Sequence, residues 1–410
     1  MPASQRSADH TGKLFTPISI NHLQLKNRIF KAPTMEAMAD EDGAPTDRLI
    51  RFFKRTAAGG SGLMITGLTS VNNAGKGYVA ENGMHADRLI PRWKELTDEV
   101  HAAGGRIVMQ ISHAGRLADP RVLEGGKAKA PSAMPNLMYL HWAQRLTERE
   151  IREIIRDFGE AAGRVKAAGF DGVEIHSSGG YLLASFLSPI TNRRTDAWGG
   201  DSIRRFRLFE EIYHAVRRAV GIDYPVLAKL HLGDFLVFGR PWPANYDAGL
   251  RMQALGVDAV EFAIGVQENI TITFAKGGMP IDVVGERLGP LHRRYWKAIA
   301  VCYTPFTKVT GPYFARAARE LKRRGLTVPL LLSGGIRRFA EAEGAIASQT
   351  ADLVGMSRPL LREPDLVQRW MNGQHEDSTC VSCNRCTLGL VNATPLQCSY
   401  REDARPKRHP

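Results

Sequence analysis

Eight short runs rich in Leu, Ile and Val recur along the chain, separated by longer stretches in which apolar residues return every three to four positions. Parallel strands are joined only by crossovers long enough to hold a helix, so this alternation leaves few architectures open. Strands are expected at residues 28–32, 63–66, 107–111, 172–176, 226–230, 259–263, 330–333 and 353–356. Helices are expected between them at 47–58, 91–103, 147–168, 202–220, 246–255, 314–324 and 339–347. Punctuation agrees with these bounds. Thr147-Glu148-Arg149-Glu150 has the form of a capping box, and Gly104, Gly256 and Gly325 stand where helices should stop. Eight strands alternating with helices, without a compositional break, predict an α/β fold, a (β/α)8 TIM barrel. A doubly wound sheet needs a reversal of strand order and is the lesser option.

Two connections are too long for simple turns: 117–146 after the third strand and 265–312 after the sixth. Long loops at that end of a barrel form lids and pockets. Residues 1–13 read as a disordered tail, 14–372 as the barrel, and 373–410 as a Cys-containing C-terminal extension. Lys and Arg outnumber Asp and Glu by 55 to 42, a net charge of +13. The basic residues are scattered over helix faces without interleaved aromatics, so small anionic ligands are expected rather than nucleic acid. No apolar run approaches membrane-spanning length, and the first ten residues lack the core of a signal peptide. A soluble, cytoplasmic protein is expected, with a homo-oligomer left open.

In a barrel of this kind chemistry sits at the C-terminal ends of the strands. Strand one delivers Pro33, Thr34 and Met35 there, and strand two Thr66 and Gly67. Strand three delivers Gln110, with His113 just beyond. Strand four ends in His176 and, past four small residues, Tyr181; strand five carries Lys229. Strand seven runs into Gly334-Gly335, and strand eight into Ser357-Arg358. A Gly-rich turn offers backbone N–H groups to an anion, and a guanidinium fork matches phosphate oxygens. Each residue alone has a structural reading: tight turn, surface arginine, core histidine, ion-paired lysine. Together they describe a phosphate-bearing ligand, a polar edge read by Gln110 and Lys229, and a His/Tyr pair. The reaction stays open at this level. Cys380, Cys383, Cys386 and Cys398 crowd the end of the chain, where a metal or redox role is expected over disulfides.

Several stretches together resemble the Old Yellow Enzyme family of FMN-dependent NAD(P)H oxidoreductases. They are Gln110-Ile111-Ser112-His113-Ala114-Gly115-Arg116, Phe186-Leu187-Ser188-Pro189 with Asn192-Arg193-Arg194-Thr195-Asp196, and Leu14-Phe15-Thr16-Pro17 with Leu25-Lys26-Asn27-Arg28. The closing Met356-Ser357-Arg358-Pro359 belongs with them. The resemblance implies FMN across the barrel mouth. Gln110 would bond its pyrimidine edge, Pro33, Thr34, Met35 and Gly67 would line the ring, and Lys229 would stand near N1 and O2. Gly334, Gly335, Ser357 and Arg358 would hold its phosphate. It also implies NAD(P)H as electron donor, His176 as a ligand of the substrate carbonyl and Tyr181 as proton donor. Two departures stand out. Met35 replaces a Thr or Cys and cannot donate a hydrogen bond, which predicts a shifted flavin potential. Gly179 replaces the second carbonyl donor, which puts ordinary enone reduction in question.

The cysteine segment resembles that of 2,4-dienoyl-CoA reductase and trimethylamine dehydrogenase, which implies a 4Fe–4S cluster; zinc and free thiols are the alternatives. The sequence ends at Pro410, short of the further flavin and nucleotide domains of those relatives, so a cluster used in turnover is expected to need an external electron partner. An NAD(P)H-driven reductase of activated C=C bonds is the first expectation. An amine dehydrogenase or N-demethylase is the second, and a non-catalytic flavin- or phosphate-binding barrel the third.

Overall fold

Strands β1 (Ile29–Lys31), β2 (Leu63–Ile65), β3 (Ile107–Ser112), β4 (Gly172–Ser177), β5 (Val226–His231), β6 (Ala259–Ala263), β7 (Leu330–Ser333) and β8 (Leu353–Met356) pair in parallel around a closed ring. Closure is made by β8 on β1, with Val354 opposite Ile29, and by β3 on β4, with Val108 opposite Gly172. The structure is a computed structural model that describes residues 12–123, 127–136, 139, 141–233, 245–263, 277, 309–388 and 394–400, plus isolated positions between 290 and 301. Every expected strand is present, shifted by no more than one residue at either end.

Helices α1 (Asp47–Ala58), α2 (Ile90–Ala102), α3 (Glu148–Ala167), α4 (Ser202–Val220), α5 (Tyr246–Leu255), α6 (Ala315–Arg323) and α7 (Phe339–Ala347) lie outside the ring. The capping box forms, with the Glu150 N–H on the Thr147 hydroxyl and the Thr147 N–H on the Glu150 carboxylate. Gly104, Gly256 and Gly325 take the positive φ that ends a helix.

Strand alternation divides the core. Ile29, Met64, Ile107 and Val226 face the helices, whereas Phe30, Leu63, Val108, Leu227, Ala259, Leu331 and Leu353 fill the barrel. A hairpin of Ile18–Ile20 and Leu23–Leu25 packs onto that inner cluster. Two residues further along the strands the same inward parity places Gln110, Lys229, Glu261 and Ser333. The barrel therefore carries an apolar layer capped by a polar one.

The 117–146 connection, expected as loop, contains a small sheet of Lys129–Ala130, Met134–Asn136 and His141–Arg145. Its strands hold two to five residues and show no apolar run, so periodicity had nothing to detect. Most of 265–312 lies outside the described residues, and so do His292 and Tyr303, the two side chains of that loop that could replace the donor missing at Gly179. Gly12 and Lys13 begin the described chain, and the N–H groups of Lys13 and Leu14 donate to Glu343. Among the described residues no helix is long and apolar enough to cross a membrane.

Candidate active site

The polar layer is a chain of charge across three adjacent strands. Lys229 on β5 pairs with Glu261 on β6 at 2.9 Å, and Ser333 on β7 donates to the other oxygen of Glu261 at 2.8 Å. On the other side, Gln110 on β3 donates to Glu174 on β4. Both carboxylates are fully buried. Burial first, and the negative charge of Glu261 second, push the Glu174 carboxyl well above its ordinary range. Lys229 is thus both the ion-pair partner that its structural reading proposed and part of the cavity wall. Glu174 and Glu261 went unweighed in the sequence. The signal was an acidic residue inside an otherwise apolar strand run, in Val173-Glu174-Ile175 and Val260-Glu261-Phe262.

Above this layer His176 and Tyr181 meet edge to face, with ring centroids 4.9 Å apart. Both ring nitrogens of His176 are buried and have no hydrogen-bond partner among the described residues. Burial, then the charge of Lys229, hold its pKa well below 6.5, so the ring is neutral. The chain between the two residues turns through Gly179 (φ 63°) and Gly180 (φ 76°), the left-handed region that glycine enters most easily. The Tyr181 hydroxyl bonds the Tyr78 hydroxyl at 2.8 Å, and burial raises the pKa of both phenols.

The far end of the cavity is built by Gly334 (φ 101°) and Gly335 (φ 90°) after β7 and by Ser357 and Arg358 after β8. A Cβ on Gly335 would sit 1.9 Å from the Gly311 carbonyl oxygen, so only glycine fits this turn. Ser357 and Thr34 share a short hydroxyl contact. Arg337, not anticipated, lines the same end. Pro33, Thr34, Met35, Gln110, His176, Tyr181, Lys229, Gly334, Gly335, Ser357 and Arg358 all line one cavity of about 200 Å³. Gly67 stands one layer back. Its N–H donates to both oxygens of the buried Glu36, which pairs with Lys31 at 2.9 Å and fixes the loop that presents Met35.

The cysteine segment closes onto this end. Asn384 accepts from Arg358, Arg337 reaches the Cys380 carbonyl at 3.3 Å, and the Leu396 N–H donates to the Glu36 carbonyl at 2.8 Å. Cys380, Cys383, Cys386 and Cys398 line one small cavity with Arg358 and Arg362, and Cys386 also borders the larger one. Burial pushes the Cys386 thiol up to about 12 and raises Cys380. Among the described residues no three His, Cys, Asp or Glu side chains are grouped to hold a single metal ion. A tetrahedral zinc needs its sulfurs about 2.3 Å from one centre, and the thiols are not drawn together in that way.

This cavity fits FMN. It has partnerless imidazole nitrogens at one side, a polar floor, and a glycine turn with guanidinium groups at the far end.

Comparison with known proteins agrees. Residues 13–236 match the NADH:flavin oxidoreductase / NADH oxidase family. A metal reductase of Desulforamulus reducens is 35% identical over 396 residues, covering 95% of this chain and 54% of that protein, so the chain spans about half that relative's length. Among solved structures, a 2-naphthoyl-CoA reductase in complex with 2-naphthoyl-CoA superposes with TM-score 0.79 at 26% identity, covering 94% of this chain and 56% of that one. An Old Yellow Enzyme homologue from Zymomonas mobilis superposes with TM-score 0.71 at 26% identity, covering 90% and 96%. The chain belongs to the NADH:flavin oxidoreductase / NADH oxidase family, the Old Yellow Enzyme type of barrel, for which FMN is the cofactor and NAD(P)H the electron donor.

Proposed function

We propose that this protein is an NAD(P)H oxidoreductase that reduces an activated C=C bond of a small molecule. The observation that carries the reading is the His176–Tyr181 pair: a neutral, partnerless imidazole beside a protonated phenol, over a polar barrel floor. Bound FMN would supply the hydride chemistry between NAD(P)H and the β-carbon of the alkene. Gln110 and Lys229 would hold its polar edge. Gly334, Gly335, Ser357 and Arg358, with Thr34, would hold its phosphate. His176 donates one N–H to the substrate carbonyl, where negative charge develops, and Tyr181 delivers a proton to the α-carbon. Burial keeps Tyr181 protonated throughout the neutral range, as a proton donor must be.

Gly179 supplies no second donor, and a site with one such donor in place of two loses about 2–4 kcal/mol of transition-state stabilisation. A weakly activated enone is therefore a poor substrate. Gly179 and the cysteine cavity favour a second reading, an amine dehydrogenase or N-demethylase. Cys380, Cys383, Cys386 and Cys398 border one cavity, and a 4Fe–4S cluster held by them would add a one-electron carrier beside the flavin pocket.

Anaerobic titration decides between the readings. NADPH should bleach the bound flavin and a strongly activated alkene should restore its colour. Bleaching by a methylated amine selects the second reading, and no bleaching by any donor leaves a non-catalytic barrel. Tyr181→Phe should slow the return of colour by roughly 100-fold or more. Iron, sulfide and zinc analysis of the same sample tests the cluster.

A further inference from the structure

Two buried phenols face each other at the centre of the site. Tyr78 comes from the loop after β2 and Tyr181 from the turn after β4, and their oxygens stand 2.8 Å apart. Both sit in a cluster with Met35, Leu68, Ala114 and Leu117, and both border the main cavity, through which solvent reaches them. Among the described residues neither hydroxyl has another hydrogen-bond partner. One proton lies between two oxygens, so one phenol donates and the other accepts. If Tyr181 is to hand its own proton to substrate, it must be the acceptor: Tyr78 donates to Tyr181, and the Tyr181 O–H is left facing the cavity.

Tyr78 is held in place for this. Its backbone N–H and that of Gly77 both donate to a carboxylate oxygen of the buried Glu81, at 2.9 and 2.7 Å. The Gly77 carbonyl accepts the Asp119 N–H at 2.9 Å. The loop is clamped on both sides of the ring's attachment, so the phenol cannot swing away without breaking buried bonds.

We propose that Tyr78 is a positioning residue for the proton donor: it orients the Tyr181 hydroxyl, stabilises the phenolate left after proton delivery, and passes the replacing proton. This rests on the C=C-reducing reading above. The hydride and its two electrons come from the reduced cofactor. As the α-carbon–H bond forms, the Tyr181 O–H bond breaks; the Tyr78 proton then moves to Tyr181, and solvent restores Tyr78.

The test uses the holoenzyme reduced by NADPH, with ketoisophorone, an enedione activated by two carbonyls, as the alkene probe, followed by stopped flow in H2O and D2O. Tyr78→Phe should slow flavin reoxidation roughly 10- to 100-fold, the loss expected for one hydrogen bond to a charged oxygen, and enlarge the solvent isotope effect. Replacement of Tyr78 by 3-fluorotyrosine, which keeps the hydroxyl, should restore the rate. In the protein labelled with 13Cζ-tyrosine, the Tyr181 resonance should move in Tyr78→Phe, a readout independent of turnover. Reoxidation and isotope effect unchanged in Tyr78→Phe, while Tyr181→Phe is slow, overturns the relay and leaves the proposed reaction standing. Both variants behaving as the parent overturns both. Slow reoxidation in the fluorotyrosine protein as well would mean that packing, not the hydroxyl, matters, and would also overturn the relay.

Discussion

Glu174 and Glu261 show how a buried charge is tolerated in this barrel. Lys229 provides one positive charge for two buried carboxyls, and burial first, then the charge of the one bonded to it, Glu261, raises the pKa of the other. Glu261→Gln removes the second of these causes, so Glu174 can ionise beside Lys229 and the cost should be smaller than that of losing both carboxyls. The double variant Glu174→Gln/Glu261→Gln leaves Lys229 buried without a counter-charge and should lose about 3–5 kcal/mol. Urea denaturation of both variants measures the non-additivity. Glu81 and His113 set a pH dependence. Burial pushes Glu81 up to about 8 from 4.5 and holds His113 down to about 4 from 6.5. Between about 4.5 and 6.5 the unfolded chain ionises Glu81 but also protonates His113, so the two slopes oppose. From 6.5 to 8 only the carboxyl acts. The folded chain then binds the extra proton, and stability falls as pH rises, by about 1.4 kcal/mol per unit. Glu174 adds to the same slope. Glu81→Gln should reduce it, leaving the share of Glu174, measured as urea midpoints at pH 6.5 and 8.

At the scale of elements, helix ends and turns carry the legible information. Thr147 and Glu150 were recognisable as a capping box because the motif is local, and α3 begins there. Thr147→Ala should cost about 1 kcal/mol by loss of that cap, read as a lowered midpoint in thermal unfolding. Glu150 also pairs with Lys129 of the small inserted sheet at 2.6 Å, so the same helix start anchors an element the sequence did not disclose. The turn after β7 depends on conformation more than on side chain. Gly335→Ala meets both a positive φ and the Gly311 carbonyl. FMN binding, followed by quenching of its fluorescence, should weaken by roughly tenfold or more as that strain is relieved by moving the turn.

At the scale of the whole molecule, the cysteine segment is part of the cofactor cavity. It bonds Arg358 through Asn384 and the Met35–Glu36 loop through Leu396. Removing whatever the four thiols bind should therefore lower FMN affinity as well. A fluorescence titration before and after chelation checks this coupling; equal affinities would separate the two sites.

The eight strands and their helices were readable because buried parallel strands are near-continuous apolar runs and helices keep a 3.6-residue period. The residues at the strand ends were readable once the barrel was assumed, since its active face is fixed by topology. Other features needed the closed structure. The polar layer of Lys229, Glu174 and Glu261 depends on register between strands, and register is a property of pairing. Tyr78 meets Tyr181 across 103 residues of sequence, and nothing local in either segment announces the contact. The sequence by itself determined the barrel, the family and most of the strand-end residues that line the cavity, because these follow from short-range pattern and motif. Tertiary structure alone decided which of those side chains are paired, which stay partnerless and how protons are held, because these depend on distances that only folding brings about.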